Sequence, residues 1–441
     1  MFRYLMLLLL FSSALFAQQK NIIYLSWGDV VGKSLDDNLS IKSKQLEYEA
    51  QDLELWRAYS NFLPSINYQG VGVYNIELPT IVFMGQKFTL GSKYTIQHSI
   101  DATLPLFTGG SRFFNIGAQN SLRKSLSEEL KGKEEDVVLQ SLRAYYEIIL
   151  AGDLSKSAHD AVEVAESNLN QVQIFYDEGT ATELDLQRAR AQYYSTVPQL
   201  ESAESNRLLS YQNLKMLLDI PLEDSVIVTD SLTAKDFLDD LKGIELGEYK
   251  SMSLDNRSEL KSIIHQLDAS GEGEKMVLSQ FAPTIAVSAN LQYQAFSDLN
   301  NIQWDDYTRS KAITLSISWP LFEGGRRFID YQLAQIRTEQ MILLQHQTEI
   351  RVSLEVEQNF YRFNESIKNL KSLEEAMIQS KESLRLSNLL YAEGMSTQLD
   401  VLNAQLIYNN SRVQYLQGIY NYNINQLQLL KSIGKLNTIW N

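Results

Sequence analysis

The chain has no cysteine in 441 residues. Disulfides, thiolate metal sites and thiol catalysis are therefore excluded, and no lipid-modified cysteine is expected at a mature start. Histidine is scarce: His98, His159, His265 and His346 are widely scattered, and none has the neighbours at helical spacing that a metal site needs, so no metal and no cofactor is expected. Apart from the opening segment there is no run of about 18 apolar residues, so no helix is expected to cross a bilayer. If this chain enters a membrane, it does so with strands. Positive charge is also short, with 39 Lys and Arg against 54 Asp and Glu and a net charge of −15. That balance argues against nucleic acid or anionic lipid as partners. Carboxylates lie along helix faces as solvated charge, and no nucleophile–base pair or phosphate-cradling loop stands out, so an enzyme is not expected.

The first residues read as an export signal over 1–17. Arg3 precedes an apolar run from Leu5 to Phe11, and Ala14-Leu15-Phe16-Ala17 forms a small-residue cleavage site. Its removal takes away one basic residue and leaves the chain more acidic still.

The remaining sequence says much of its content twice. Phe62-Leu63-Pro64-Ser65-Ile66 returns as Phe281-Ala282-Pro283-Thr284-Ile285, and Leu104-Pro105-Leu106-Phe107-Thr108-Gly109-Gly110 as Trp319-Pro320-Leu321-Phe322-Glu323-Gly324-Gly325. Tyr176-Asp177-Glu178-Gly179 with Thr182 and Asp185 returns as Tyr391-Ala392-Glu393-Gly394 with Thr397 and Asp400. An internal two-fold repeat of this length sets the architecture. Each copy reads helix, strand, loop, strand, long helix, turn, long helix.

Within each copy two segments alternate at period two, the mark of strands with one apolar and one wet face. Ile313, Leu315 and Ile317 oppose Thr314, Ser316 and Ser318; Tyr94, Ile96, His98 and Ile100 oppose Thr95, Gln97, Ser99 and Asp101. The stretch from Ile285 to Gln294 behaves likewise, and Ile66 to Ile76 does so more weakly because of Gly70 and Gly72. Each is roughly 10 residues, long enough for a tilted strand to cross a bilayer, and aromatics collect near the ends. A soluble sandwich would also place aromatics in strands. Polar loops at 77–93 and 298–308 join the strands. From Ser111 to about Phe175 there is no proline, and from Arg327 to Tyr391 neither proline nor glycine. About 65 helical residues span on the order of 95 Å, which suits coiled-coil or tunnel walls better than a compact globule. Pro64 and Pro283 end a helix and open a strand; Pro105 and Pro320 are expected to close the second strand of each pair.

Four membrane-crossing strands cannot stand alone, because unpaired edges in lipid are costly and the smallest closed barrels use about eight strands. Several copies must pool their hairpins if the strands span. With these motifs in place, the chain resembles the TolC-like outer-membrane efflux protein family. It does so across nearly all of the mature sequence, through the duplicated Pro-Leu-Phe-x-Gly-Gly junctions, the duplicated Pro64 and Pro283 positions and the twin Tyr-x-x-Gly turns. The resemblance implies a mainly α fold with a transmembrane β-barrel portion. In that fold four strands per protomer form a barrel in a homotrimer, and long coiled-coil-like helices form a periplasmic tunnel. The segments are then 18–222 as first repeat, with strand hairpin 65–106 and tip turn near 177–183; 223–256, with parts of both termini, as an equatorial connector; and 257–441 as second repeat, with strand hairpin 284–321 and tip turn near 392–398.

The two tip turns are the candidate site. Gly179 and Gly394 sit where glycine ends a helix, and Thr182 with Asp185 and Thr397 with Asp400 form capping-box-like pairs, which alone explain the spacing. The resemblance adds that Tyr176, Glu178, Gly179, Thr182, Tyr391, Glu393, Gly394 and Thr397 meet a periplasmic adaptor. It makes Asp185 and Asp400 the tunnel-entrance gate, with Asp400 forming a threefold carboxylate ring. Ser396 stands where relatives can carry an arginine, and Asn403 where they can carry a second acid. The implied role is an outer-membrane duct carrying small toxic compounds from an inner-membrane pump, with outer-membrane lipid around the barrel. A type I protein-secretion duct is a close alternative, and an exported coiled-coil scaffold without channel activity a more distant one.

Overall fold

The computed structural model describes residues 21–440, so the export signal expected at 1–17 lies outside the described residues. The chain opens with strand β1 (Ile22–Leu25) and helices α1 (Trp27–Asp37) and α2 (Leu39–Ser60). Strands β2 (Ser65–Tyr74), β3 (Thr80–Phe83), β4 (Gln86–Thr89) and β5 (Tyr94–Thr108) lead to α3 (Ser111–Asp177) and α4 (Glu183–Leu217). After β6 (Ser225–Val228) come α5 (Leu246–Asn256), α6 (Ser258–Leu278), β7 (Thr284–Ser297), β8 (Thr308–Ser318), α7 (Arg326–Ala392) and α8 (Gln398–Ser432). Helices α3 and α7 are each 67 residues long, and α4 and α8 each 35. None of the described helices is long and apolar enough to cross a membrane.

The fold divides into two compact units, one built from residues up to 45, 129–260 and 348 onward, the other from 46–128 and 261–347. The second unit holds an antiparallel sheet in the order β2-β5-β7-β8. Its register aligns Tyr68 with Ile100, Ile100 with Leu291 and Leu291 with Lys311. Directly opposed residues share a face. One face therefore carries Ile66, Ile100, Leu291, Ile313, Leu315 and Ile317, the other Asn67, Gln69, Asp101, Asn290 and Gln292. Strands β2 and β8 are the sheet's two edges, and every residue in both is exposed.

Two details depart from expectation. Strand β5 does not end at Pro105 but continues to Thr108, with a register shift between Pro105 and Phe107. A bulge lets a residue without an N–H sit in an internal strand. The loop 77–93 contains the β3–β4 hairpin, whose turn residues Met84 and Gly85 both have positive φ, at 47° and 81°. That is the geometry of a tight primed turn, whose twist matches the strands it joins.

The strand-to-helix junctions are built alike. Arg112 donates to the Asn61 carbonyl at 3.1 Å and lies 4.5 Å from the Phe62 ring; Arg327 donates to the Gln280 carbonyl at 3.1 Å and lies 5.4 Å from the Phe281 ring. Phe62 meets Phe113 edge-on at 5.0 Å, and Phe281 meets Phe328 edge-on at 5.2 Å.

In the first unit, β1 and β6 form a parallel pair, Ile22 against Ser225 through Leu25 against Val228. A core of Val30, Val31, Tyr145, Leu214, Leu427 and Leu430, among others, packs there. The irregular strap after β6 is fastened by α8. Asn423 bonds the Lys235 N–H at 2.9 Å and the Thr233 carbonyl at 2.8 Å, and Gln426 the Phe237 N–H at 2.9 Å and the Lys235 carbonyl at 2.7 Å. Pro198 lies inside α4, against the general rule for helix interiors.

Candidate functional site at the two interhelical turns

The turns joining α3 to α4 and α7 to α8 share one construction. Gly179 and Gly394 take φ of 79° and 70°, left-handed values that favour glycine. Thr180 N–H donates to the Phe175 carbonyl at 2.8 Å and Gly179 N–H to that of Tyr176 at 2.9 Å. Met395 N–H donates to the Leu390 carbonyl at 2.8 Å and Gly394 N–H to that of Tyr391 at 3.0 Å. These paired bonds are a Schellman closure, which satisfies carbonyls the helix end would otherwise leave open. A Cβ on either glycine would meet nothing within 4 Å, so the chain around both turns is open.

The next helix then begins with a reciprocal cap. Asp185 N–H donates to Thr182 Oγ1 at 3.2 Å while Asp185 Oδ2 accepts from Thr182 N–H and Oγ1 at 3.2 and 2.7 Å. Asp400 N–H donates to Thr397 Oγ1 at 3.3 Å, and Asp400 Oδ2 accepts from Thr397 N–H and Oγ1 at 2.9 and 2.6 Å. Both capping boxes expected from the sequence are present.

Around these shared caps the turns differ. Asp185 Oδ1 lies 3.8 Å from the Arg188 guanidinium on its own helix. Asp400 gains a third donor, Ser396 Oγ at 3.1 Å, but all its side-chain contacts fall on Oδ2 and no cation pairs with it among the described residues. The hydrogen bonds from Thr397 and Ser396 hold its carboxyl below the usual carboxylate range. Asp400 is thus an exposed, ionised and uncompensated charge. Interaction with Glu183 raises the Tyr176 phenol's pKa, while hydrogen bonding, first from Gln187 Nε2 at 2.6 Å, lowers that of Glu183. Tyr391 crosses between the turns. Its ring stands edge-on to Phe175 at 6.4 Å, and burial, with the charge of Asp185 adding to it, raises its pKa. Glu178 and Glu393 are exposed. Thr182 and Thr397 act as caps, and Tyr391 links the two turns.

Two further residues belong to no sequence motif. Gln398 and Gln405 on α8 are 4% and 2% exposed, and both side-chain polar atoms of Gln398 and Nε2 of Gln405 lack hydrogen-bond partners. They correspond in the repeat to Glu183 and Arg190, which are exposed and hydrogen-bonded, Arg190 to Gln173 at 3.1 Å. The available signal was the replacement of two charged residues, Glu183 and Arg190, by amides at matched positions. Among the described residues no group of three or more His, Cys, Asp or Glu could hold a metal ion.

Comparison with known proteins identifies the family and the fold. The sequence profile of the "Outer membrane efflux protein" family covers residues 30–218 and 250–435. Outer membrane protein TolC of Escherichia coli is 22% identical over 315 residues, 69% of this chain and 62% of that protein, so the chain spans about 62% of that relative's length. TolC of Vibrio cholerae is 21% identical over 74% of each chain. Among solved structures, the CmeC outer membrane channel of Campylobacter jejuni superposes with TM-score 0.81 at 17% identity, covering 93% of this chain and 86% of that one. The open state of the Neisseria gonorrhoeae MtrE channel gives 0.76 at 18% identity, covering 93% and 89%. These likenesses establish the fold.

Proposed function

The chain belongs to the outer membrane efflux protein family, and we propose that it is the outer-membrane channel of a tripartite export system. In this reading it is a passive homotrimeric duct that carries small toxic compounds outward from an inner-membrane pump and a periplasmic adaptor. It works without catalysis or cofactor.

The observation that carries the reading is the sheet β2-β5-β7-β8, apolar on one face, polar on the other, with both edges unpaired. In lipid every unpaired backbone group costs several kcal/mol, so such a sheet must close. The strand order runs β8 of one copy antiparallel to β2 of the next, and a head-to-tail contact of that kind closes into a ring. Two copies would make a barrel of about eight strands, whose interior side chains fill. Three copies make the smaller assembly with a passage, twelve strands lined by Asn, Gln, Ser and Asp101. Residues 223–256, with β1 and the end of α8, form the equatorial belt.

The two turns then form the duct's periplasmic mouth. Three Asp400 carboxylates in a narrow ring attract cations and repel anions, while Asp185, beside Arg188, contributes less. The exposed residues Tyr176, Glu178, Gly179 and Thr182, with Glu393, Gly394 and Thr397, meet the adaptor, and Tyr391 ties one turn to the other. The closed mouth is held by Ser396 hydroxyls, at a position where relatives can carry an arginine, and by Tyr391 packing.

Substitution of Gly179 and Gly394 by phenylalanine tests the assignment, with asparagine at the same sites as control because asparagine tolerates positive φ. Phenylalanine should abolish adaptor cross-linking and drug resistance in intact cells, and asparagine should retain both. Intact cross-linking in the phenylalanine variant would remove the turns from the adaptor interface. In planar bilayers Asp400→Asn should reduce cation preference more than Asp185→Asn. Drug susceptibility of a deletion strain, set against its secreted proteins, separates small-molecule efflux from the type I secretion duct.

A further inference from the structure

The sheet's charged residues are sorted by face. Its four strands hold His98, Arg309 and Lys311 as basic residues and Asp101 as the single acid. Register puts Gly70, His98, Tyr293 and Arg309 in one row of the apolar face, and Tyr68, Ile100, Leu291 and Lys311 in the next. Asp101 falls on the opposite face, where Asn290 Nδ2 donates to it at 2.6 Å and Ser99 Oγ at 3.0 Å. A chain with 54 acidic residues thus places none on this face of the sheet.

The position of the cations along the strand is informative. From Ile317 through Leu315 and Ile313 to Lys311 the apolar face rises roughly 20 Å along β8. Tilted by about 40° as barrel strands are, that is roughly 15 Å of height, somewhat over half of an apolar band about 25 Å tall. Lys311 and Arg309 are the last residues of this face before the 75–93 and 298–307 loops, and so mark its boundary on that side. Both are exposed, and neither takes part in an ion pair among the described residues. These loops carry four acids, Glu77, Asp298, Asp305 and Asp306; Asp298 accepts from Lys93 N–H at 3.1 Å and Asp306 from Gln303 N–H at 2.8 Å, and among the described residues none of the four pairs with Arg309 or Lys311. In the same two rows, across β7 toward the other edge of the sheet, stands a polar aromatic cluster. Tyr68 Oη lies 2.7 Å from His98 Nδ1, and Tyr307 Oη lies 3.5 Å from His98 Nε2.

Two cations at an apolar boundary need counter-charge, since partial desolvation without a partner is costly. Among the described residues no carboxylate pairs with either cation, which leaves the counter-charge to the surroundings. We propose that Arg309 and Lys311, flanked by the Tyr68–His98–Tyr307 cluster, bind the phosphate groups of an outer-leaflet lipid headgroup, one site per protomer. This rests on the reading that the sheet spans the outer membrane with its apolar face outward. It also reverses, for this one face, the expectation from net charge that anionic lipid would be avoided. Arg309 supplies a planar fork suited to phosphate oxygens, and Lys311 a point charge about two residues' rise below it.

The test uses the full-length protein purified in detergent, with bis-phosphorylated lipid A and its dephosphorylated counterpart as probes. Wild-type protein should bind the phosphorylated lipid at least about tenfold more tightly than the counterpart. Arg309→Gln combined with Lys311→Gln should lose that preference while keeping its lipid-free thermal midpoint and its binding of the dephosphorylated lipid. Equal preference in wild type and double variant would overturn the proposal, as would full displacement by inorganic phosphate, which marks a free-ion site. The underlying reading has its own readout. The chain has no native cysteine, so a spin label at Ile313→Cys reports that position alone. Relaxation by oxygen but not by a water-soluble nickel chelate is expected in lipid vesicles. The opposite result removes the membrane-spanning reading and this proposal together, whereas the expected result with an unaltered double variant removes only the proposal.

Discussion

At the scale of single residues, the second turn differs from the first in what it buries. A buried polar group without partners costs about 1–3 kcal/mol, and α8 carries the whole amide of Gln398 and Nε2 of Gln405 in that state, on the face that also buries Val401 and Ala404. The packing of α8 near its start is weakened by design of composition, while Leu186 and Ala189 pack the matching turns of α4 without such a penalty. Replacing both glutamines by leucine should raise the thermal midpoint and make openings rarer in single-channel recordings. Unchanged gating would separate these amides from the movement of the mouth. A second buried polar group acts far from the turns. Glu135 is 6% exposed, and burial pushes its carboxyl up to about 7, against opposing effects from Arg257 and Lys431. Arg257 is itself engaged, donating to the Lys431 carbonyl at 2.8 Å and to Glu355 at 2.7 Å. The folded state therefore holds a proton that the unfolded state releases between the ordinary carboxyl range and about pH 7, and stability falls as pH rises through that window. Glu135→Gln should gain on the order of 2 kcal/mol at pH 8 relative to wild type and flatten the dependence between pH 5 and 7, read from thermal midpoints across a pH series.

At the scale of elements, the duplicated glycine junctions are alike in conformation but not in surroundings. Gly109 and Gly324 have φ of 66° and 63°. A Cβ on Gly109 would sit 2.2 Å from the Ser279 carbonyl oxygen, whereas one on Gly324 would meet nothing within 4 Å. Alanine at 324 should cost only the strain of left-handed backbone, about 1–2 kcal/mol. Alanine at 109 must also displace backbone and should lower the thermal midpoint well beyond that. Equal effects of the two substitutions would contradict the close approach. The same contrast explains what the sequence could disclose. Helices α3 and α7 end within two residues of their expected bounds, because glycine and the Gly-Gly junctions punctuate them and the intervening stretch lacks proline. The four long strands follow from period two. Hairpin β3–β4 does not, since strands of four residues are too short to show a period. Pro105 misleads because a bulge absorbs it. The β1–β6 pair joins segments 203 residues apart, as the Asn21 to Asp224 hydrogen bond shows, and no local pattern announces such a partner. The caps at Thr182 and Thr397 were legible because they are local; the burial of Gln398 and Gln405 was not, because it depends on which helix lies alongside.

At the scale of the whole molecule, strands β2 and β8 leave the sheet open on both sides. In the proposed trimer each copy presents one edge to each neighbour, so a single faulty edge spoils a whole ring rather than one third of it. This has a genetic consequence. A chain carrying Thr314→Pro, still able to offer an intact β2, would enter mixed assemblies and leave them unclosed. Expressed at equal level beside the normal gene, it should be dominant, leaving roughly one assembly in eight made of normal chains only. Drug susceptibility of such a merodiploid strain should approach that of the deletion, whereas a recessive phenotype would mean that faulty chains are sorted out before they meet their neighbours.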